Sequence, residues 1–277
     1  MSAQTSVETI WHISDDLWSL IAPILGPQKP PGSRGRPHTP FRLAFEALVY
    51  MAKTGCQWHA LPRKHYAPPS TIHGIFSKWV QAGVFKQAWQ VLLQHYDEQL
   101  GIKWKWQSLD GAITKAPLGG EATGPNPVDR AKSGTKRSLL TDQRGAPLSV
   151  VVTGANTHDK TVALATLDGI IVERPEKLIY RIHHLCLDKG YDYAEVIAGV
   201  LARDYILHMK KRGQEDQPID GAKKYPARRW VVERTHSWMN RFRRLLIRWE
   251  KKVAHYEAML HLACTMILHR LVVNASG

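Results

Sequence analysis

Three acidic residues stand in three distinct contexts: Asp110 in Trp-Gln-Ser-Leu-Asp-Gly, Asp188 in Leu-Cys-Leu-Asp-Lys-Gly-Tyr-Asp, and Glu233 in Arg-Arg-Trp-Val-Val-Glu-Arg-Thr-His-Ser-Trp. The first two close short apolar, strand-like runs, and the third lies in a basic amphipathic stretch of helical period. Hard divalent cations are held by oxygen donors, typically one or two carboxylates each. Two such ions about 3.5–4 Å apart can activate an oxygen nucleophile and neutralise the charge that builds on a scissile phosphate. Adjacent strands would carry Asp110 and Asp188 to one end of a sheet. Glu233 taken alone fits a plainer role, an i,i+4 salt bridge with Arg229.

On a helix at 100° per residue, Val231, Thr235, Trp238, Phe242 and Leu245 share one face, and Arg229, Glu233, His236, Ser237, Asn240 and Arg244 the other. Other acids compete for a metal role. Asp159 follows His158 at an expected helix start, where capping is its ordinary use, Asp192 is expected beside the site rather than on a metal, and Asp142 is expected in a turn.

The 277 residues suffice for one large domain or a small and a medium one, and 44% apolar content is ample for buried cores. A formal charge of +14 points to a polyanionic partner. From Arg203 to Lys252 there are 15 Lys/Arg against 6 Asp/Glu, so most of the excess lies in one stretch. No signal-peptide pattern opens the chain and no run of about 18 apolar residues occurs, so nucleic acid is expected rather than a membrane. Cys56, Cys186 and Cys264 are scattered in apolar surroundings, which suits a reducing compartment, and no His or Cys spacing suggests zinc.

The elements that must position these residues follow from period. Ser14 before Asp15 and Asp16 caps a short helix carrying Leu17, Trp18, Leu20 and Ile21. Phe41, Phe45, Leu48 and Ala52 mark a second helix, Ile72, Ile75, Phe76 and Trp79 a third capped by Ser70, and Phe85, Trp89, Leu92 and Tyr96 a fourth. Strands are expected at 104–109, 138–141, 148–153, 182–187 and 205–209, with Gln143-Arg144-Gly145 turning a hairpin. Helices are expected at about 160–172, 192–203, 227–249 and 254–273. Such an order predicts a mixed α/β sheet covered by helices after a helical first part.

Several basic features suit DNA. Arg34-Gly35-Arg36 in a Gly/Pro-rich linker resembles the extended core of a minor-groove hook, although a solvated basic linker reads equally well. The segment Ser70–Gln81 could be the second helix of a helix-turn-helix, offering His73 and Lys78 to a major groove. A long loop from 115 to 137 carries Lys136 and Arg137 toward phosphates.

The motifs together are similar to those of bacterial DDE transposases of the insertion sequence 5 family. The resemblance rests on Ser-Leu-Asp110-Gly and the Gly/Pro-rich run after it, Gly-Thr-Lys-Arg-Ser-Leu-Leu at 134–140, Gly-Ala-Asn-Thr-His-Asp at 154–159, Asp188-Lys-Gly-Tyr-Asp, Arg-Trp-Val-Val-Glu233-Arg-Thr-His-Ser-Trp, and Thr-Gly-Cys-Gln-Trp-His-Ala-Leu-Pro at 54–62. It implies a small all-helical DNA-binding domain at 1–100, with a basic linker at 26–40, followed by an RNase H-like catalytic domain at 101–277. Asp110, Asp188 and Glu233 would then be the catalytic triad holding Mg2+, with Mn2+ expected to substitute. The partners implied are double-stranded element ends and target DNA, bound by a homodimer in the bacterial cytoplasm at the nucleoid, with no membrane.

The related signature around the glutamate has a Tyr and an Arg before it and a basic residue seven positions after it. Arg229 fits, Tyr225 falls one residue early, and Asn240 stands in the basic position, leaving Arg241 and Arg244 as candidates to grip phosphate. A nuclease that cuts without joining, and a DNA-binding repressor, are the alternative readings.

Overall fold

Ser14 opens the first helix as its context requires, accepting a hydrogen bond from the Leu17 amide at 3.2 Å. The computed structural model describes residues 12–28, 38–176, 182–209 and 228–276. Four helices come first: α1 (Asp15–Ile21), α2 (Phe41–Thr54), α3 (Pro69–Gln81) and α4 (Val84–Leu100). Contrary to the expected Ser70 cap, α3 begins with Pro69 at its first turn, where a missing N–H costs nothing. Gly55 ends α2 with φ +70°, and a Cβ there would stand 3.1 Å from the Arg243 backbone. Only glycine therefore lets the end of α2 seat against that turn.

The sheet is built from β1 (Trp106–Lys115), β2 (Gly124–Pro125), β3 (Ser133–Thr141), β4 (Pro147–Gly154), β5 (His183–Cys186) and β6 (Tyr205–His208). Its order is β2-β3-β1-β5-β6, with β4 also paired to β3. β1, β3 and β4 pair antiparallel, whereas β1, β5 and β6 pair parallel. Helices α5 (Asp159–Asp168), α6 (Ala194–Leu201), α7 (Trp230–Asn240) and α8 (Val253–Ser276) complete the chain, and the result is the expected mixed α/β, RNase H-like sheet with its helices.

The β3–β4 hairpin turns at Gly145, φ +86°. Asp142 is more than a turn residue there. It is fully buried, its Oδ1 accepting from the Arg144 and Ala146 amides and its Oδ2 from Tyr96 and the Lys103 amide.

Three boundaries differ from the expected ones. β1 continues to Lys115, so Asp110 lies inside the strand rather than at its end. β3 begins at Ser133, which turns the last part of the expected loop into central strand. α7 stops at Asn240, and Arg243–Leu245 form a separate 3-10 turn. Accordingly the face buried on α7 is Val231, Val232, Thr235, His236 and Met239, with Trp238 half-buried.

One hydrophobic cluster contains buried residues from Ile13 to Val272. α8 packs along α4, burying Tyr256, Met259, Leu260, Cys264 and Leu268. By length and composition α8 could cross a membrane, but this packing makes it the central helix of a protein core. Trp89 on α4 donates to the Pro147 carbonyl at 3.1 Å, which fastens the helical part to the sheet.

Candidate active site

β1 and β5 are adjacent and parallel, with Ser108 opposite Cys186. Asp110 and Asp188 each lie two residues further along, so parallel pairing brings them to the same level, where β5 ends beside the middle of β1. Val231, Val232 and His236 seat α7 on the protein, which leaves Glu233 exposed on its outer side. Just before α7, Arg229 gathers two of the acids: its Nη1 donates to Asp188 Oδ1 and its Nε to Glu233 Oε1, the latter at 3.0 Å. The i,i+4 pairing expected of Glu233 is thus present, and the same guanidinium serves Asp188.

Asp110 is the most desolvated of the three. Burial pushes its carboxyl up to about 6, with Asp188 and Glu233 adding to the rise, while the Gly111 amide and Arg229 oppose it. His236 fixes the backbone at this point. Its Nε2 lies 3.3 Å from the Asp110 carbonyl, and since a carbonyl only accepts, Nε2 is the donor. Burial holds the imidazole neutral, lowering its pKa to about 3.

Two further residues crowd the same place. The hydroxyl of Tyr191, buried at 1% exposure, is raised well above its ordinary range by burial and by Asp159, Asp110 and Asp188. Asp159 pairs with Lys136 at 2.9 Å, and its Oδ1 would stand 2.7 Å from a Cβ on Gly111. Glycine directly after Asp110 is what admits it. The N-cap of α5 is His158, whose Nδ1 accepts from the Lys160 amide.

The other expected DNA contacts divide sharply. Lys136 is 6% exposed, and its ammonium is engaged by Asp159 and the Thr157 carbonyl. Arg137, 2% exposed, donates to Asn240 from inside the protein. Arg244 is 5% exposed and is held by Glu250 at 2.7 Å and by the Cys56 carbonyl. β3 and the 3-10 turn thus put these three side chains in the interior, not on the outer surface expected of them. His73 and Lys78 are exposed on α3, with the His73 ring edge-on to Trp58 at 4.7 Å. Arg241 is exposed at the end of α7, whereas Arg34 and Arg36 lie outside the described residues.

Residues 108–268, more than half of the chain, match the family model "Transposase DDE domain". The chain belongs to the DDE transposase family. Residues 13–89 of this transposase match a second model, "Putative transposase of IS4/5 family". Among curated proteins it is 40% identical over 147 residues to "Putative transposase for insertion sequence element IS402" of Burkholderia cepacia, covering 52% of this chain and 67% of that one. It is 29% identical over 118 residues to "Insertion element IS402 uncharacterized 16.2 kDa protein" of the same organism, covering 42% and 80%. The Mos1 mariner paired end complex with Mn is a looser likeness, with a TM-score of 0.28 and 9% identity over 88% of this chain and 81% of that one.

DDE domains generally use divalent metal ions. Among the described residues no three Asp, Glu, His or Cys side chains stand together as a ready metal cage. The chemistry of the donors nevertheless fits: three carboxylates supply hard oxygen ligands, and a guanidinium already lies against two of them. What sequence reasoning missed here is Tyr191 and the double grip of Arg229. The glycine after Asp110 was the available signal for the close approach of Asp159.

Proposed function

We propose that this transposase binds the ends of an insertion sequence, cuts phosphodiester bonds there and joins the freed 3′-hydroxyl ends to target DNA, with Asp110, Asp188 and Glu233 as its catalytic carboxylates. The observation that carries the reading is the placement of Asp110 in β1 beside Asp188, two residues past the end of the adjacent parallel strand β5, with Arg229 linking Asp188 to Glu233. The three carboxylates would hold two Mg2+ ions, Mn2+ substituting. Bound ions would supply activation of the attacking oxygen and neutralisation of the phosphate.

The chain's own residues hold that arrangement. Arg229 offsets the repulsion between Asp188 and Glu233, and His236 pins the Asp110 carbonyl. The elevated Asp110 carboxyl marks a buried negative charge that a cation relieves. Residues 1–100 are read as the helical DNA-binding domain and 101–277 as the catalytic domain. His73 and Lys78, and Arg34 with Arg36, remain its proposed contacts to double-stranded DNA. Holding two ends together calls for a homodimer on DNA, acting in the bacterial cytoplasm at the nucleoid.

The test is incubation of the protein with labelled element ends and a plasmid target, with Mg2+ or chelator, scoring cut and joined products. Metal-dependent joined products that fall by about a hundredfold or more in Asp110→Asn, Asp188→Asn or Glu233→Gln, with end binding spared, are expected. Cutting without joining would replace the reading by a nuclease, and binding alone by a repressor. Full activity in any one variant would remove that residue from the triad.

A further inference from the structure

Beyond the carboxylates, the exposed side of α7 leads to a cluster of cations drawn from three distant parts of the chain. Trp230, Glu233, Ser237 and Arg241 are all exposed, at i, i+3, i+7 and i+11. Glu233 and Arg241 are therefore on one side of the helix, about 12 Å apart along its axis. At that end, the Arg270 guanidinium of α8 lies 4.8 Å from the centre of the Trp238 ring, and Arg234 lies 4.7 Å from the same ring on α7. Lys53 of α2 lies 4.0 Å from the centre of the Phe242 ring.

Among the described residues neither Arg241 nor Arg270 has a carboxylate partner. They are also close enough to repel. Arg270 is lowered by burial and by Arg241, and Lys53 by burial, Arg270 and Arg241. Like charges gathered beside the Trp238 and Phe242 rings suit an anion, because an anion relieves the repulsion. The Trp238 ring holds the Arg270 guanidinium by its face and leaves its N–H groups to donate, and Arg241 is exposed three residues along from Trp238, an arrangement that suits phosphate oxygens.

We propose that Arg241 and Arg270, backed by Lys53, form a seat for the phosphodiester backbone of duplex DNA flanking the cut site, built jointly by α2, the end of α7 and α8. The occupant is identified as DNA by the seat's position on the same helix side as Glu233, so this clause rests on the catalytic reading; the cation cluster itself does not. The seat makes the end of α2 part of the DNA path, in addition to the exposed face of α3.

The experiment is fluorescence anisotropy of the full chain in chelator, between 50 and 300 mM KCl (roughly the range over which phosphate contacts are resolved), on an element-end duplex and on an unrelated duplex. The double variant Arg241→Gln/Arg270→Gln should bind about tenfold more weakly near 150 mM salt, and its salt slope should fall by about 0.9 for each phosphate that it no longer neutralises. Arg241→Lys/Arg270→Lys, which keeps the charge, should restore the slope and separates charge from folding. Weakening on both duplexes assigns the seat to any duplex, weakening on the end duplex alone assigns it to the element end, and either result supports it. An unchanged slope on both overturns it. If the wild type cuts no DNA yet the variant slope falls, the catalytic reading fails and the seat stands; intact cutting with an unchanged slope is the reverse.

Discussion

Arg137 donates a hydrogen bond to Asn240, tying the middle of β3 to the last residue of α7. Arg137 is buried, and among the described residues its Nε and Nη1 have no hydrogen-bond partner, which leaves Asn240 as its side-chain anchor. Related glutamate signatures carry a basic residue at this position. Here a second cation would face a buried guanidinium. Asn240→Lys is therefore expected to cost about 2 kcal/mol of stability without tightening DNA binding. Unchanged thermal unfolding together with tighter binding would show that Arg137 tolerates the charge.

Arg229 stands against two of the three proposed metal ligands, so it competes with any cation that approaches them. Replacing it by glutamine should tighten Mn2+ binding to the DNA-free protein by about tenfold, since a positive charge a few ångströms away is removed. Electron paramagnetic resonance of free Mn2+ measures this directly. Weaker binding in Arg229→Gln would mean that the guanidinium organises the carboxylates instead of screening them.

His236 sets an acid limit on the fold. Its pKa is about 6.5 in the unfolded chain and about 3 in the buried, neutral site. The unfolded state therefore binds a proton first as pH falls, so the stability present above pH 6.5 declines below it. Over the 1.5 units from 6.5 to 5 this one group removes about 2 kcal/mol. His236→Gln keeps a donor for the Asp110 carbonyl and should lose less stability between pH 7 and pH 5 than the wild type. Equal losses in urea titrations at the two pH values would show that His236 is not the sensor.

Arg244 and Glu250 form an ion pair in which both side chains are 6% exposed. Removing one partner leaves the other buried and unpaired, so Glu250→Gln should cost about 3 kcal/mol. Because Arg244 also holds the Cys56 carbonyl, the damage should reach the junction of α2 with the 3-10 turn. DNA binding by the protein that remains folded should keep its salt slope. A reduced slope would return Arg244 to the DNA surface.

The mixed sheet was legible because its strands are short, largely apolar runs and its hairpin turn carries Arg-Gly at 144–145. The candidate acids were legible because each stands in a motif. The start of β3 was not, since Lys136 and Arg137 look like solvent-facing loop charges, and it takes tertiary partners, Asp159 and the Thr157 carbonyl for one and Asn240 for the other, to make their burial tolerable. The end of α7 was hidden for a related reason: Phe242 and Leu245 prolong the apolar period although they belong to a separate turn. Arg229 was seen as a partner of Glu233 alone, because its second bond, to Asp188, spans 41 residues.

The packing of α8 along α4 has a consequence for how the molecule comes into being. Residues 84–100 leave the ribosome long before residues 253–276, and Asp110 precedes Glu233 by 123 residues. Through most of its synthesis the nascent polypeptide thus exposes an uncovered greasy flank while its carboxylates remain scattered. A chain cut short before α7 would lack Glu233 and would leave the side of α4 that α8 covers facing water.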